Sequence, residues 1–506
     1  MKGNLLKVLC VLLTLACLVP CFAACGNNED NTDDTGTSGE QGTTADTMSA
    51  QDQALADLGE IDWGGETFSI LHMDGFRSEV WGENKIVDPE SGDSQVINDA
   101  VYQRNSILEE LGHMTIDHVE KDAASVETAI RNEASAPTGD FQLIDYRIGT
   151  LASLALQGFL YNFLSIGDDG IDIDQPWWDS GTADFCLEDS VYFMTGDVTF
   201  GDDNVTYVLI FNKAMQRANS TTVPNPYDTV KAWDWTLDYF NNVIQGVSYD
   251  SNGDGKFNEL DTYGFITTWE YGNTFFIGSD LRYIINDRTE EPYLALDESA
   301  SQMEKALTVL DLSKKIYHAN NASYMSPGGS EALGLAAFKE NRGLFYGEVA
   351  QYLRTLNAEM DTDFGVLPVP KYDHAQEFYR TWTHGSGSGV GITAGISAED
   401  AELVANTIEA YAILASKYVK PAYYDIMLTS RNIRDAESGE MLDLIFQNRV
   451  FDMGFFFEQQ FGLYSLFKTA VNDNTDKFSS SYAKAAKQFD RKLQQLVKQL
   501  TTKKAQ

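Results

Sequence analysis

The sequence predicts an α/β fold in which strands and helices alternate and build largely parallel sheets. In GGETFSIL, Phe68 and Ile70 alternate with polar residues, as in a half-buried strand. VYQRNSILEELGHMTIDHV then predicts a helix followed by a strand over 114–119. The alternation repeats as VETAIRNEA (helix), FQLIDYRIG (strand and loop) and TLASLALQGFL (helix). Strands separated by helices of this length indicate βαβ units.

The carboxyl ends of parallel strands are where such sheets bind ligands. HMDGF (72–76) and DYRIG (145–149) follow the first and third predicted strands. We therefore expect both segments at the mouth of a binding cleft.

The first 63 residues predict export and a tether. MKGNLLKVLCVLLTLACLVPCFAAC combines Lys2 and Lys7 with an apolar stretch and small residues before Cys25, which is typical of a secretory signal over 1–24. FAAC resembles the lipoprotein box of bacteria, which implies a lipid on Cys25 and attachment to the membrane. The following residues are acidic and almost free of apolar side chains, so 25–63 predict a disordered tether.

Composition limits the partners and the redox chemistry. The 506 residues include 36 basic and 76 acidic ones, a formal net charge of −40, which argues against nucleic acid or an anionic lipid surface as the partner. Only Cys186 follows Cys25, so no intrachain disulfide framework is expected and a large apolar core must stabilise the fold. The length of the remaining chain suggests two lobes, and we expect a monomer.

Several segments, in their order and spacing, carry a family resemblance: VYQRN, IDIDQPWWD, VYFMTGD, LIFNKAM, WDWTLDYF, LAAFKENRGLFYGEV and FGVLPVPKYDHAQ. The chain is similar to the extracellular solute-binding lipoproteins of bacterial carbohydrate ABC transporters, relatives of maltose-binding protein. The resemblance implies capture of an oligosaccharide or other carbohydrate and its delivery to the transmembrane permease subunits, at the outer face of the cytoplasmic membrane.

The resemblance also implies a two-lobed periplasmic-binding-protein-like fold of type II, with three interlobe crossovers and a cleft that closes by hinge bending. Turn-rich passages place the crossovers near 195–204, 383–391 and 429–435. We therefore assign 64–197 and 388–432 to an N-lobe, and 198–387 and 433–506 to a C-lobe. The last segment carries apolar residues at helical spacing and predicts an amphipathic helix packed on the C-lobe.

YDSNGDGKFNELD has the spacing of a calcium-binding loop. Counted from Asp250, oxygen-bearing side chains stand at positions 1, 3, 5, 9 and 12, glycine at position 6, and Lys256 supplies a carbonyl at position 7. The ligands would be Asp250, Asn252, Asp254, Lys256, Asn258 and Asp261. A structural Ca²⁺ is the prediction; a solvated turn of Asn, Asp and Gly is the alternative.

A sugar site needs aromatic faces for stacking and planar polar groups for hydroxyls. Candidates at predicted strand ends and loops are Asp74, Tyr146, Arg147, Trp177, Trp178, Trp269, Glu270, Tyr346, Glu348 and Trp382. Of these, Asp74, Tyr146 and Arg147 resemble loop positions that touch sugar in maltose-binding relatives. Two adjacent tryptophans cannot both be buried on one face of a strand, so one of Trp177 and Trp178 should be exposed.

No nucleophile elbow, zinc-protease motif or phosphate-binding loop is present, and the six histidines show no metal-ligand spacing, so we expect no enzyme. Two alternatives stay open. One is a secreted carbohydrate-active hydrolase, because so acidic a chain offers many possible pairs of catalytic carboxylates. A peptide or another polar solute would suit the same fold. A surface protein with dockerin-like calcium loops would need the loop twice, and it occurs once.

Overall fold

A computed structural model describes residues 49–73, 95–167, 171–185, 190–286, 291–319, 321–428 and 436–502. The strands are β1 (Thr67–Met73), β2 (Thr115–Lys121), β3 (Leu143–Arg147), β4 (Tyr207–Asn212), β5 (Tyr263–Thr267), β6 (Ile284–Ile285), β7 (Tyr293–Leu294), β8 (Ser323–Met325), β9 (Gly343–Val349), β10 (Phe364–Leu367), β11 (Thr381–Trp382), β12 (Ser388–Gly391) and β13 (Arg449–Val450).

Helices cover most of the remaining described chain. The first ten are α1 (Ala50–Asp57), α2 (Gln95–Gly112), α3 (Ala123–Ser135), α4 (Ile148–Gln157), α5 (Gly201–Asn204), α6 (Lys213–Ala218), α7 (Pro226–Lys231), α8 (Leu237–Ile244), α9 (Tyr271–Gly278) and α10 (Ala295–Glu298). The others are α11 (Ala300–Tyr317), α12 (Glu331–Lys339), α13 (Tyr352–Glu359), α14 (Ala398–Leu414), α15 (Lys420–Leu428), α16 (Ala436–Gln447), α17 (Met453–Phe456), α18 (Glu458–Phe461), α19 (Tyr464–Asn472) and α20 (Phe478–Thr502).

Two separate sheets define two lobes. The first has the order β12-β3-β1-β2, with β1 parallel to both β2 and β3 and β12 antiparallel to β3. The second has the order β10-β4-β9-β5-β8, with β5 parallel to β8 and β9, and β4 antiparallel to both of its neighbours, β9 and β10. The α/β prediction is confirmed, and so are the strands and helices that it placed between 67 and 157.

The first sheet has an apolar core on each face, because alternate strand residues point to opposite sides. Phe68 and Ile70 belong to one core, together with residues of α14. Leu71 belongs to the other core, which extends through the second lobe. The chain therefore buries both faces of this sheet, as a parallel sheet requires.

The chain passes between the lobes along neighbouring stretches. The first passage leads from Met194, which pairs with Val390 of the first sheet, to β4, and the second leads from β11 to β12. Thr206 pairs with Thr383, so the two passages lie side by side. A third connection joins α15, which contacts α2, to α16, which contacts β10; its residues 429–435 lie outside the described chain. The exact lobe boundaries stay a prediction.

The predicted tether ends earlier than residue 63. Helix α1 contacts α14, and Leu55 and Ile61 are buried against that side of the first lobe. Lys417 Nζ lies 2.5 Å from Asp52 Oδ1, and Trp63 Nε1 donates to Thr407 Oγ1 at 3.0 Å. The prediction of disorder over 25–63 is therefore wrong for residues 49–63. The few apolar side chains of this segment are enough to order it, because they pack on the folded first lobe.

Helix α20 is amphipathic, as predicted, and buries Phe489, Leu493 and Leu496. It packs on the second lobe, as predicted, and reaches the first lobe as well. It contacts α11 and β7 of the second lobe but also α4 of the first. Tyr192 Oη donates to Leu500 O at 2.7 Å, so the helix joins the lobes. Within the described residues, none of the helices has both the length and the apolar character that a membrane crossing requires.

Candidate functional site

A cavity of about 300 Å³ lies between the two lobes. The first lobe contributes the end of β3 and the start of α4, and the second passage and the segment after β13 supply the rest. The lining residues are Arg147, Gly149, Thr150, Trp382, His384, Gly385, Ser386, Phe455, Phe456, Glu458 and Tyr464. This is the position beyond the carboxyl end of a parallel strand where ligands are expected.

Glycine in the second passage permits the lobes to approach at this cavity. Ile148 N donates to Gly387 O at 2.9 Å, and Gly149 N donates to Gly385 O at 3.0 Å. A Cβ added to Gly387 would stand 3.0 Å from the backbone of Asp202. The backbone of this passage therefore packs directly on the start of α4, and a side chain at 387 would collide with the first passage on its other side.

Aromatic rings form the floor of the cavity. Trp382 stacks on Tyr207 with ring centroids 4.9 Å apart and an angle of 8° between the planes. Phe455 and Tyr464 pack on Trp382 at centroid distances of 4.8 and 5.7 Å. The indole nitrogen of Trp382 is buried without a hydrogen-bond partner. Buried indole N–H groups usually find an acceptor, so this donor favours a ligand oxygen at the site.

Polar groups surround this floor. His384 Nδ1 lies 2.6 Å from Ser386 Oγ, and Arg147 also lines the cavity. Glu458 accepts hydrogen bonds from Tyr464 N at 2.8 Å and Ser465 Oγ at 3.0 Å, and burial raises its pKa to about 7. A half-buried rim of this kind presents both donors and acceptors to a neutral polyhydroxyl ligand.

Three of the ten sequence-predicted ligand residues are associated with this cavity. Arg147 and Trp382 line it. Glu270 lies behind it and receives hydrogen bonds from Tyr464 Oη and from Lys468 Nζ, the latter at 2.8 Å. Burial raises the pKa of Glu270, which Lys468 partly opposes.

The adjacent tryptophans correct the expectation that one of them is exposed. Trp177 and Trp178 are both buried. They lie in a turn rather than a regular strand, so both rings can face α14. Their Nε1 atoms donate to the two carboxylate oxygens of Glu409, at 2.5 and 3.0 Å. Neither tryptophan lines the interlobe cavity.

The other candidates that the structure describes also lie away from the cavity lining. Tyr146 is buried and donates to Ala123 O at 3.3 Å. Tyr346 is buried in the second sheet, and Glu348 accepts from Thr268 Oγ1 at 3.3 Å. Trp269 is 45% exposed and packs on Gly329. Asp74 lies outside the described residues.

The sequence analysis missed Tyr464, Glu458, Phe455 and Phe456 as lining residues. Their segment, FFFEQQFGLYS, is rich in aromatic residues and carries one acid, the same signal that selected other candidates. It was overlooked because it lies over 60 residues beyond the second passage in sequence and reaches the cavity only through the pairing of β13 with β11.

A second cavity, of about 520 Å³, adjoins a buried charge network. Arg449 donates through Nη1 to Asp202 at 2.8 Å and to Asp203, and through Nη2 to Asp179. Burial raises the pKa of Asp202 and raises that of Asp203 to about 6. Burial opposes ionisation of Asp179 most strongly, but the Arg449 guanidinium, hydrogen bonds and Lys420 together outweigh it and hold that pKa below its ordinary value.

The calcium-like loop has the donors that Ca²⁺ prefers, held on its own backbone. Asp250 accepts from Gly253 N and Gly255 N at 2.7 Å, and both glycines have positive φ. Asp261 is buried and accepts from Ser251 N and Asn258 N. The order of oxygen donors and the turn at Gly255 fit the ion. Three loop carboxylates do not, however, converge within 4.8 Å of one another.

Comparison with known proteins gives structural matches only. No protein-family profile matches the chain, and no curated protein sequence matches it. A cyclo/maltodextrin-binding protein complexed with maltotetraose is 13% identical, with a TM-score of 0.53 over 86% of this chain and 97% of that one.

Two further solved structures agree. An ABC substrate-binding protein from Listeria monocytogenes in complex with cycloalternan is 11% identical, with a TM-score of 0.50 over 87% of this chain and 98% of that one. A family 1 extracellular solute-binding protein from Bifidobacterium longum subsp. infantis is 14% identical, with a TM-score of 0.50 over 87% of this chain and all of the other. The chain therefore has the two-lobed α/β fold of these solute-binding proteins.

Proposed function

We propose that this protein captures a carbohydrate between its lobes and delivers it to the permease of an ABC importer. The observation that carries the proposal is the interlobe cavity, where Trp382, Phe455 and Tyr464 lie beside Arg147, His384 and Glu458. Aromatic faces with a few convergent polar groups suit a sugar ring. The fold is shared with proteins solved with maltotetraose and with cycloalternan.

Capture requires no chemistry by the protein. The lobes would close over the sugar, and the closed form would engage the permease, because the ligand favours the conformation that it bridges. A volume of about 300 Å³ is at the lower end of the range for ligand sites. It suits one or two sugar rings, and a longer oligosaccharide would need more open lobes.

The test is calorimetric titration of the protein with mono- and oligosaccharides, with product analysis of each mixture. We expect saturable binding by one sugar class and no cleavage. Tyr464→Ala should weaken binding roughly 5- to 150-fold, if stacking of a sugar ring contributes about the 1–3 kcal/mol of a nucleic-acid base on an aromatic side chain. Tyr102→Ala, on an exposed tyrosine of α2, is the matched control and should bind normally. Cleavage of a sugar would favour the hydrolase alternative. Binding of peptides alone would favour a binding protein for peptides or other polar solutes.

Membrane attachment through Cys25 is part of the proposal. Cys25 lies outside the described residues and is supported by the FAAC context alone. Cys25→Ser should release the protein from the cell surface into the medium, as measured by fractionation and labelling with a fatty acid. Retention of this variant on the membrane would contradict lipidation there.

We also propose that the loop 250–261 binds a structural Ca²⁺, which would draw its carboxylates together. Asp250→Asn should remove a Ca²⁺-dependent rise in melting temperature, because it deletes the charge at the first position of the loop. Glu259→Gln is the matched control, since position 10 is not a ligand in this spacing. Identical melting curves with Ca²⁺ and with chelator would leave the loop a polar turn.

A further inference from the structure

Two histidines and a glutamate converge where β1 and β2 end. His72 and Glu120 are partners in the parallel register, and His118 pairs with Ile70, two residues earlier. Alternate residues of a strand point to the same face. All three side chains therefore project from one face of the first sheet, at the edge that β2 forms.

Their ligand atoms are close together. Each of the three residues offers a nitrogen or oxygen within 4.8 Å of the other two. His72 Nε2 is 3.7 Å from Glu120 Oε1, and the two imidazole ring centroids are 5.2 Å apart. Among the residues that the structure describes, this is the one such group of three or more His, Cys, Asp or Glu side chains.

The separations are near those of a metal centre. Zinc lies about 2.0–2.2 Å from His nitrogen and carboxylate oxygen, so tetrahedral ligands stand roughly 3.3–3.5 Å apart. Small rotations of His118 and Glu120 would close the remaining gap, and their backbones are already held by the sheet. The His72 side chain is 8% exposed and that of Glu120 is 44% exposed, so an ion can enter from the glutamate side.

We propose that His72, His118 and Glu120 bind a divalent transition-metal ion, with Zn²⁺ as the probe of choice. Two imidazoles and one carboxylate suit Zn²⁺ and its neighbours in the first row. They do not suit Ca²⁺ or Mg²⁺, which take oxygen ligands. The fourth position stays available to water or to another ligand.

The site has a structural consequence beyond the ion itself. It joins the last residues of β1 to the edge strand, and the next residue, Met73, contacts Arg147 Nη2 through its sulfur at 3.8 Å. Arg147 lines the interlobe cavity. Metal at this position would therefore stiffen the first-lobe wall of that cavity. The metal site does not depend on the identity of the ligand there.

The experiment is titration of the purified protein with Zn²⁺ in the presence of excess Ca²⁺, followed by calorimetry and by thermal melting. We expect one Zn²⁺ per chain and a rise in melting temperature. His118→Gln and Glu120→Gln should each weaken binding about tenfold or more, since loss of even an outer-shell partner typically weakens metal binding by 10–100-fold. Co²⁺ should give visible absorption bands of a four- or five-coordinate nitrogen and oxygen site.

The control is His374→Gln, which removes an exposed histidine of the second lobe and should leave Zn²⁺ binding unchanged. Both test positions are at a sheet edge and on the surface side, so the variants should melt near the wild-type temperature without metal. Absence of Zn²⁺ binding to the wild-type protein would overturn the proposal. So would undiminished binding by both variants, because the ion would then be held elsewhere.

Discussion

Glu409 shows how a single buried acid can hold two aromatic side chains. Its two carboxylate oxygens accept the indole N–H groups of Trp177 and Trp178. Burial raises the pKa of Glu409 to about 7, and the two indole donors oppose that rise. The pair of tryptophans is thus fixed against α14 by polar contacts as well as by apolar packing.

Replacement of Glu409 should show how much of its contribution to stability comes from packing and how much from hydrogen bonding. Glu409→Ala would leave two buried donors unpaired, at about 1–3 kcal/mol each. We expect a loss of several kcal/mol in the free energy of unfolding, measured by chemical denaturation. Glu409→Gln keeps one acceptor oxygen and should lose clearly less. Equal losses in the two variants would show that packing, and not acceptance of the indole N–H groups, dominates at this position.

Glu348 predicts a pH dependence of stability. Burial raises its pKa to about 8 in the folded protein, from about 4.3 for an exposed glutamate. The folded state therefore keeps a proton that the unfolded state releases, and this contribution to stability declines as pH rises from about 4.3 through 8. Glu348→Gln should flatten that decline. Between about pH 5 and pH 8, the free energy of unfolding of the variant, measured in urea, should therefore rise relative to that of the wild type. A constant difference across that range would contradict the raised pKa.

At the residue scale, the sequence predicted which side chains lie near strand ends better than it predicted contacts with distant partners, and the ligand-binding role of every candidate stays a prediction. Arg147 and Trp382 were selected as aromatic or polar residues near strand ends, and they line the cavity. Trp177 and Trp178 satisfied the same rule, but the acid that binds them lies more than 230 residues away. Nothing local in QPWWD indicates Glu409.

At the scale of secondary structure, α1 is the element most at variance with expectation. Local hydrophobic periodicity identified β1 to β3 and α2 to α4, because these segments carry regular apolar patterns. Helix α1 has little such pattern, and its stability comes from docking on α14. A short helix of this kind is not stable alone, so sequence composition indicated disorder.

Docking of α1 predicts where the folded body begins. A chain starting at residue 64 should melt at a lower temperature than one starting at residue 49, because it lacks the buried side chains of Leu55 and Ile61. Complete burial of each such side chain contributes about 1.5–3 kcal/mol. Differential scanning calorimetry of the two chains is the measurement. Lys417→Met in the longer chain isolates the ion pair with Asp52, which should contribute under about 1 kcal/mol. Equal melting temperatures would mean that 49–63 only rest on the surface.

For the whole molecule, the features that the sequence did not predict are those that depend on strand pairing between distant segments. The two-lobed architecture was expected from the order of segments, whereas the residues that meet between lobes were not. Tyr464 reaches the cavity through the segment that follows β13, and His72 meets His118 through parallel pairing across α2. Spacing along the chain argues against paired histidines, since the 45 positions between His72 and His118 carry no local signature.

Arg449 connects the lobes and the two passages through ion pairs. It lies on β13, which pairs with β11 at the second passage, and it binds Asp202 and Asp203 of α5 in the first passage and Asp179 of the first lobe. Three buried carboxylates thus share one guanidinium. Removal of one member of a buried ion pair costs about 3–5 kcal/mol, because the remaining charge is left without compensation.

Arg449→Met should therefore uncouple the lobes as well as destabilise the fold. We expect calorimetry of the wild type to show one unfolding transition. The variant should begin to unfold at a lower temperature and should show two separate transitions. Without the guanidinium, the pKa values of the three carboxyl groups should rise, so the deficit should shrink as pH falls towards about 5, where protonation removes the repulsion. Arg380→Met, which removes a partly exposed contact with Asp280, is the control and should melt close to the wild type. A single transition at the wild-type temperature in Arg449→Met would show that apolar packing through α20, and not this network, joins the two lobes.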